Sequence, residues 1–311
     1  MSTGFVHEAL FYGSPAEYLD GLVPFLAEGL AAGDPVAAAV PEPNLSLLRE
    51  ALGDDASRVH LLDMGVAGRN PGRIIPQVLR GFADRHRDAA RVRIIGEPIW
   101  DGRSAVEYPA CAQHEALINP AFAGRDVTIV CPYDTKALDP DAIADAHMTH
   151  PLVTERGVRR DSDTYAWDDL VARYNDELKP AAGAVTFRVQ VPDHLSVARR
   201  SVAAYALEFG LSEARTEDLK LIVTELATNS LLHAGTPCEL SLWREGAELV
   251  CSATDGGRLT DPLAGRRPPA RGQLSGRGLL LVNDLADLVR THRAPHGTTI
   301  QVRMRLDGKP L

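Results

Sequence analysis

Glu225, Asn229 and His233 are spaced by four in the run Leu221-Ile-Val-Thr-Glu-Leu-Ala-Thr-Asn-Ser-Leu-Leu-His-Ala-Gly235. On a helix, that spacing stacks them on one strip of the cylinder. A carboxylate one turn from an amide suits a general base set beside an oxygen ligand for a hard cation. The strip borders an apolar stripe, because Leu219, Ile222, Val223 and Leu226 recur at i, i+3, i+4 and i+7. Polar groups are thus aimed at the edge of a buried surface, where an unpaired one costs free energy. A partner is expected for them. Taken alone, the stretch reads equally well as an amphipathic helix with solvated polar residues.

The elements around it narrow the choice. Val185 to Val191 alternates as a strand, Asp193 precedes a helix Leu195 to Phe209 that Gly210 closes, and Ser212 caps the helix carrying Glu225. Two β-rich runs come next, Cys238 to Trp243 and Glu248 to Thr254, the second ending in Asp255-Gly256-Gly257. Ser275-Gly276-Arg277-Gly278 then opens a helical run whose N-terminus can hold phosphate on free amides. Gly297-Thr298-Thr299 leads into the strand Ile300 to Leu306. These four boxes, in this order, resemble the nucleotide-binding boxes of the Bergerat-fold (GHKL) ATPases, which include gyrase, the Hsp90 chaperones, histidine kinases and MutL. The short form looks most like the anti-sigma-factor serine/threonine kinase branch.

The resemblance, over roughly 185–306, implies an α+β domain with helices on one face of a mixed sheet and ATP and Mg2+ as cofactors. It makes Glu225 the catalytic glutamate and Asn229 the magnesium ligand, with His233 near the phosphates or ribose. Asp255 matches the acceptor of the adenine amino group, and Gly256 and Gly257 let the backbone approach the base. The Asp-Gly-Gly box is shorter than the family's Asp-x-Gly-x-Gly. Gly276, Arg277 and Gly278 match the phosphate-holding turn, and Thr298 or Thr299 the contact beneath the adenine. A lid between Asp255 and Gly276 carries Arg258, Arg266, Arg267 and Arg271, which could close on the γ-phosphate or face an acidic partner. The implied partners are a sigma factor or a small antagonist protein phosphorylated on Ser or Thr, and the module is expected to pair as a homodimer. A non-catalytic ATP-dependent binding switch is the alternative. A histidine kinase is disfavoured, because no helical phosphoacceptor hairpin precedes residue 185 and His114-Glu115 lacks the following Asn-Pro at the required spacing.

The first half alternates strands and helices. Strands are expected at Phe5–Tyr12, Pro35–Val40, Arg58–Leu62, Arg91–Ile95 and Val127–Cys131. Helices are expected at Pro15–Ala32, Leu45–Leu52, Arg73–Arg87, Ala105–Ile118, Pro140–His147 and Trp167–Leu178, with a charged loop at Arg159–Asp163. This pattern predicts a doubly wound, largely parallel α/β sheet over 1–178, a linker at 179–184 and the second domain over 185–311. Ligands of such sheets favour the carboxyl ends of strands, here Tyr12-Gly13, Asp63-Met64, Glu97–Trp100 and Cys131–Asp134. No G-x-x-x-x-G-K-[ST] occurs. His7-Glu-Ala-Leu-Phe-Tyr12, Cys131-Pro-Tyr-Asp134 and His147-Met-Thr-His-Pro151 resemble the MEDS sensory domain, a distant relative of RecA-type cores. That implies a small-molecule ligand, with His7, Tyr12, Tyr133 and Asp134 as candidate contacts. The plainer readings are a buried core histidine at His7 and a turn cap at Asp134. His147 and His150 lack a convergent carboxylate or third histidine in the sequence, so a metal site is not expected there.

At 311 residues with 45% hydrophobic content the chain has room for two cores. A formal charge of −9 argues against a general nucleic-acid binder. Four cysteines without CxxC spacing suggest neither a zinc site nor a disulfide framework and fit a cytoplasmic protein. No signal peptide or membrane span is expected.

Overall fold

Short Val-, Ile- and Ala-rich runs separated by amphipathic stretches form two sheets, each in its own compact unit, Met1–Tyr174 and Asn175–Leu311. The computed structural model describes residues 4–268 and 276–306. Among the described residues, no helix is long and apolar enough to cross a membrane.

The first unit runs β1 (Val6–Tyr12), α1 (Pro15–Ala32), β2 (Val36–Val40), α2 (Asn44–Leu52), β3 (His60–Asp63), α3 (Met64–Ala67), α4 (Pro71–Arg73), α5 (Arg80–Arg85), β4 (Val92–Gly96), α6 (Tyr108–Phe122), β5 (Val127–Asp134), α7 (Pro140–Thr149), β6 (Leu152–Glu155), β7 (Val158–Asp161) and α8 (Trp167–Arg173). The sheet order is β3-β2-β4-β5-β1-β6-β7, and every pairing is parallel except β6 with β7. The expected α/β class therefore holds, with an antiparallel edge. Residues 159–161, read from sequence as loop, belong to β7; the charges mislead because an edge strand tolerates them on both faces. The helix expected over Arg73–Arg87 is broken by a π-helical stretch, Ile74–Leu79. Pro76 has no N–H to give, and the ladder resumes with an i to i+5 bond from Arg80 N to Ile75 O.

Helix α1 buries Tyr18, Leu22, Leu26 and Leu30 against Leu10, Tyr12, Ala38 and Val40. At its start, Ser14 Oγ accepts from Glu17 N at 3.2 Å and the Glu17 carboxylate accepts from Gly13 N at 2.7 Å. The chain's own side chains thus occupy the amides that a phosphate-cradling loop after β1 would offer to a nucleotide.

The second unit contains β8 (Val185–Val189), α9 (His194–Glu208), α10 (Glu213–Asn229), a π turn (Ser230–Ala234), β9 (Cys238–Glu245), β10 (Glu248–Asp255), α11 (Gly278–Leu285), β11 (Leu288–Ala294) and β12 (Gly297–Arg305). Its order is β11-β12-β10-β9-β8. All four pairings are antiparallel, where a mixed sheet was expected. Two helices, not one, connect β8 to β9, which returns the chain antiparallel to its start. The connection from β10 to β11, which among the described residues holds the helix α11, leaves those two strands separated by β12. The stripe Leu219, Ile222, Val223 and Leu226 is buried against Leu240, Leu242, Cys251 and Val302.

Helix α8 ends at Arg173, short of the expected Leu178. Asn175 instead pairs with β11: its Oδ1 accepts from Arg293 N and its Nδ2 donates to Arg293 O, both at 2.8 Å. The side-chain amide thereby stands in for a strand neighbour, so the division between units falls ahead of the linker predicted at 179–184.

Arg215 fixes α10 relative to α11. It donates to Leu285 O at 2.7 Å and to Asp287 Oδ2 at 2.8 Å, and Asp287 also accepts from Arg305 N at 2.8 Å. Asp287 is buried while Arg215 is only partly so. Asp287→Ala removes a buried acceptor shared by Arg215, which keeps Leu285 O and Asp218, and by Arg305 N, and we expect it to destabilise the fold by about 2 kcal/mol in urea denaturation.

Candidate functional site

Glu225 and Asn229 sit one turn apart near the end of α10, both half-buried. Among the described residues, neither has a hydrogen-bond or ion-pair partner. Opposite them is the start of α11. A Cβ on Gly278 would lie 2.5 Å from Glu225 Oε2 and 3.4 Å from Asn229 Nδ2. Among the described residues no side chain caps α11, which leaves its first-turn amides without a described side-chain acceptor. Gly276, two residues earlier, has φ +80°, which favours glycine. Arg277 between the two glycines is exposed. The three-residue turn and the polar strip of α10 therefore meet.

The π turn at Ser230–Ala234 redirects the chain after Asn229. Its wider winding takes His233 off the strip set by Glu225 and Asn229, and His233 is exposed. The same turn brings Ser230 to Asp255, whose Oδ2 accepts from Ser230 Oγ at 2.6 Å. Asp255 Oδ1 accepts from Gly257 N at 2.7 Å. These two bonds hold the carboxylate at the end of β10 and leave it spare lone pairs. Gly257 is pressed against the turn, since a Cβ there would lie 2.3 Å from Ala234 Cβ. Gly256 N donates to Thr236 Oγ1 at 3.1 Å. Ser230 and Thr236 were not singled out from sequence. Ser230 could have been, because a hydroxyl just past Asn229 at a border position needs a buried acceptor.

Thr298 Oγ1 donates to Gly257 O at 2.8 Å and accepts from Leu259 N at 3.1 Å, so it straps the start of the lid to β12. Thr299 Oγ1 pairs with Thr254 Oγ1 at 3.1 Å. The lid's first half has structure of its own. Leu263 is buried, and Asn283 Nδ2 donates to Gly265 O at 3.1 Å. Arg266 is buried too, Arg267 pairs with Asp261 at 2.5 Å, and Arg258 is exposed. Arg271 lies outside the described residues.

In the first unit, the candidate ligand contacts divide between the two faces of the sheet, as the period of a strand requires. Tyr12 faces α1 and α2, where its hydroxyl lies 3.4 Å from Glu97 Oε1. Tyr18 donates to Glu97 Oε2 at 3.3 Å, and Asn44 Nδ2 donates to both oxygens at 2.9 and 3.0 Å. Asp134 Oδ1 accepts from Lys136 N at 2.8 Å and Ala137 N at 3.2 Å, so this oxygen caps a turn. His7 and Tyr133 lie on the opposite face, buried with Glu115, Cys131 and His150. Burial and the neighbouring His150 lower the His7 pKa to about 4.

Burial raises the Glu97 carboxyl to about 8, against the hydrogen bonds from Asn44, Tyr18 and Tyr12, which favour the ionised form. A carboxyl raised from 4.5 in the unfolded chain to about 8 in the folded one stabilises the fold fully below about 4.5 and loses that contribution as pH rises through about 8. Thermal unfolding should therefore show a stability component that declines over this window and is absent from Glu97→Gln.

The family comparisons divide the chain in the same two parts. Residues 6–151 match the model of MEDS, the methanogen/methylotroph, DcmR sensory domain, and residues 189–304 match that of the histidine kinase-like ATPase domain. No curated protein matches the chain. Among solved structures, the chain is similar to the RsbU and RsbW domains of a Mycobacterium tuberculosis protein. That likeness has 15% identity and a TM-score of 0.31, over 40% of this chain and 33% of the other, so the chain spans about a third of that protein's length. The chain thus carries a MEDS domain over residues 6–151 followed by a histidine kinase-like ATPase domain over residues 189–304.

Proposed function

We propose that the second unit binds ATP with Mg2+ between α10 and α11 and acts as a protein kinase of the anti-sigma-factor type. In this reading it transfers phosphate to Ser or Thr of a small antagonist protein, or holds a sigma factor, under control of the first unit. The observation that carries the reading is the approach of Gly278 to Glu225 and Asn229: two polar side chains that have no partner among the described residues face a helix start that only glycine lets come so close.

The residues present fit the nucleotide. Asn229 offers an amide oxygen to the metal, and the α11 amides at Gly278 and beyond offer donors to phosphate oxygens. Asp255, held by Ser230 and Gly257, retains acceptor capacity for the adenine amino group, and Gly257 keeps the backbone beside it free of a side chain. MgATP supplies the γ-phosphoryl group. Glu225 orients the attacking hydroxyl and takes up its proton, as a carboxylate one turn from the metal ligand can. Thr298 steadies the loop that follows Asp255 rather than offering a free hydroxyl, since its Oγ1 already donates to Gly257 O and accepts from Leu259 N. His233 is assigned no contact with the nucleotide.

The test is labelled ATP with candidate partner proteins. Asn229→Ala should lose Mg2+-dependent ATP affinity by about tenfold or more while keeping its far-UV spectrum. Glu225→Ala should still bind ATP but fail to label a partner serine or threonine. ATP-dependent partner binding without any label would replace the kinase by a binding switch, and acid-labile label on the chain itself would replace it by a histidine kinase. Unchanged affinity in Asn229→Ala would remove the site.

A further inference from the structure

In the first unit, four side chains from four elements converge in the core: His7 from β1, Glu115 from α6, Cys131 from β5 and His150 from the end of α7. All are fully buried, and their donor atoms lie within 4.8 Å of one another. Glu115 Oε2 is 3.4 Å from His7 Nε2 and 3.1 Å from His150 Nε2, and Cys131 Sγ is 3.6 Å from His7 Nε2.

The surrounding hydrogen bonds decide which nitrogens carry protons. Asn119 Nδ2 donates to Thr149 O at 2.8 Å and Ala116 O at 3.1 Å. Its Oδ1 is therefore the acceptor facing His7 Nδ1 at 3.2 Å, which makes Nδ1 the protonated nitrogen. His150 Nδ1 lies 2.9 Å from Ala146 O, a pure acceptor, so it too carries its proton. Both neutral rings then present the bare Nε2 to the centre. The Glu115 carboxylate can only accept, so with both rings protonated on Nδ1 no proton lies in its short approaches to His7 Nε2 and His150 Nε2. Three acceptors thus face one weakly donating thiol in a dry core, an arrangement that costs free energy unless a cation sits among them.

We propose that His7, Glu115, Cys131 and His150 form a four-coordinate site for a divalent cation of the zinc class. Two imidazoles, a carboxylate and a thiolate are ligands zinc accepts, and tetrahedral coordination spaces such donors about 3.3–3.7 Å apart. The outward Nδ1–H groups on Asn119 and Ala146 O supply the orienting bonds that metal-bound histidines require. Binding ionises Cys131, whose proton leaves to solvent as the sulfur–metal bond forms. The site joins β1 and β5 to α6 and α7, so loading it would brace the sensory unit.

The experiment uses untagged full-length protein stripped with chelator and titrated with Co2+. We expect one equivalent to bind with a cobalt–thiolate charge-transfer band that Zn2+ abolishes, and loading to raise the unfolding temperature. Cys131→Ser should remove the band. Glu115→Gln, near-isosteric and able to donate to an imidazole, should weaken binding tenfold or more while the circular dichroism is kept. X-ray absorption on the wild-type zinc form, which needs no variant to fold, should give one sulfur and three N/O neighbours. The proposal is overturned by a wild-type protein with no charge-transfer band, or by a band that persists in Cys131→Ser. The first outcome would leave Glu115 as the counter-ion of a protonated histidine.

Discussion

The approach of α11 to α10 at Gly278 sets the geometry of the second unit. A side chain there would collide with Glu225, so the backbone itself comes up to a carboxylate and an amide that have no other described partner. Everything around that contact keeps it in place. Arg215 bridges α10 to the α11–β11 junction, and Asn283 holds the lid's Gly265 against α11. The π turn after Asn229 swings Ser230 onto Asp255. Ser230 and Asp255, 25 residues apart in sequence, are thereby joined by a hydrogen bond, beside the Gly256–Thr236 bond and the close approach of Gly257 to Ala234.

The first unit sets the same chemical group in two opposite environments. Glu97 is buried among donors: Tyr12, Tyr18 and Asn44 all point at its oxygens. Glu115 is buried among acceptors and a thiol. A protonated Glu97 is stable in the dry interior on its own terms, whereas Glu115 needs positive charge beside it. The strand period puts the two on opposite sides of the sheet, with Tyr12 facing one and His7 facing the other from the same strand. At the start of α1, Ser14 and Glu17 accept from the backbone N–H groups of Glu17 and Gly13.

Much of this was legible in the residues. The apolar stripe of α10, the Asp-Gly-Gly end of β10 and the glycine turn before α11 are local signals, because period, capping and glycine conformation act over a few positions. So are the alternating strands and helices of the first half. Local rules failed where a partner far along the chain decided the outcome. Charged β7 is a strand because β6 pairs with it, and the helix after Trp167 stops at Arg173 while Asn175 bonds to β11. His233 leaves the i+4 strip because the helix widens to a π turn, which the spacing of residues does not announce.

His150 is the clearest case. Along the chain it has His147 three residues away and no carboxylate to converge with, and the four cysteines have no ligand spacing. Folding brings it to Glu115, Cys131 and His7, the last of these 143 positions earlier. Residue types and short-range periodicity indicated most of the elements that form and which of their faces are buried. Which polar groups end up facing one another in the dry core was settled by the packing of helices on sheets, because burial selects partners by distance in space, to which order along the chain is blind.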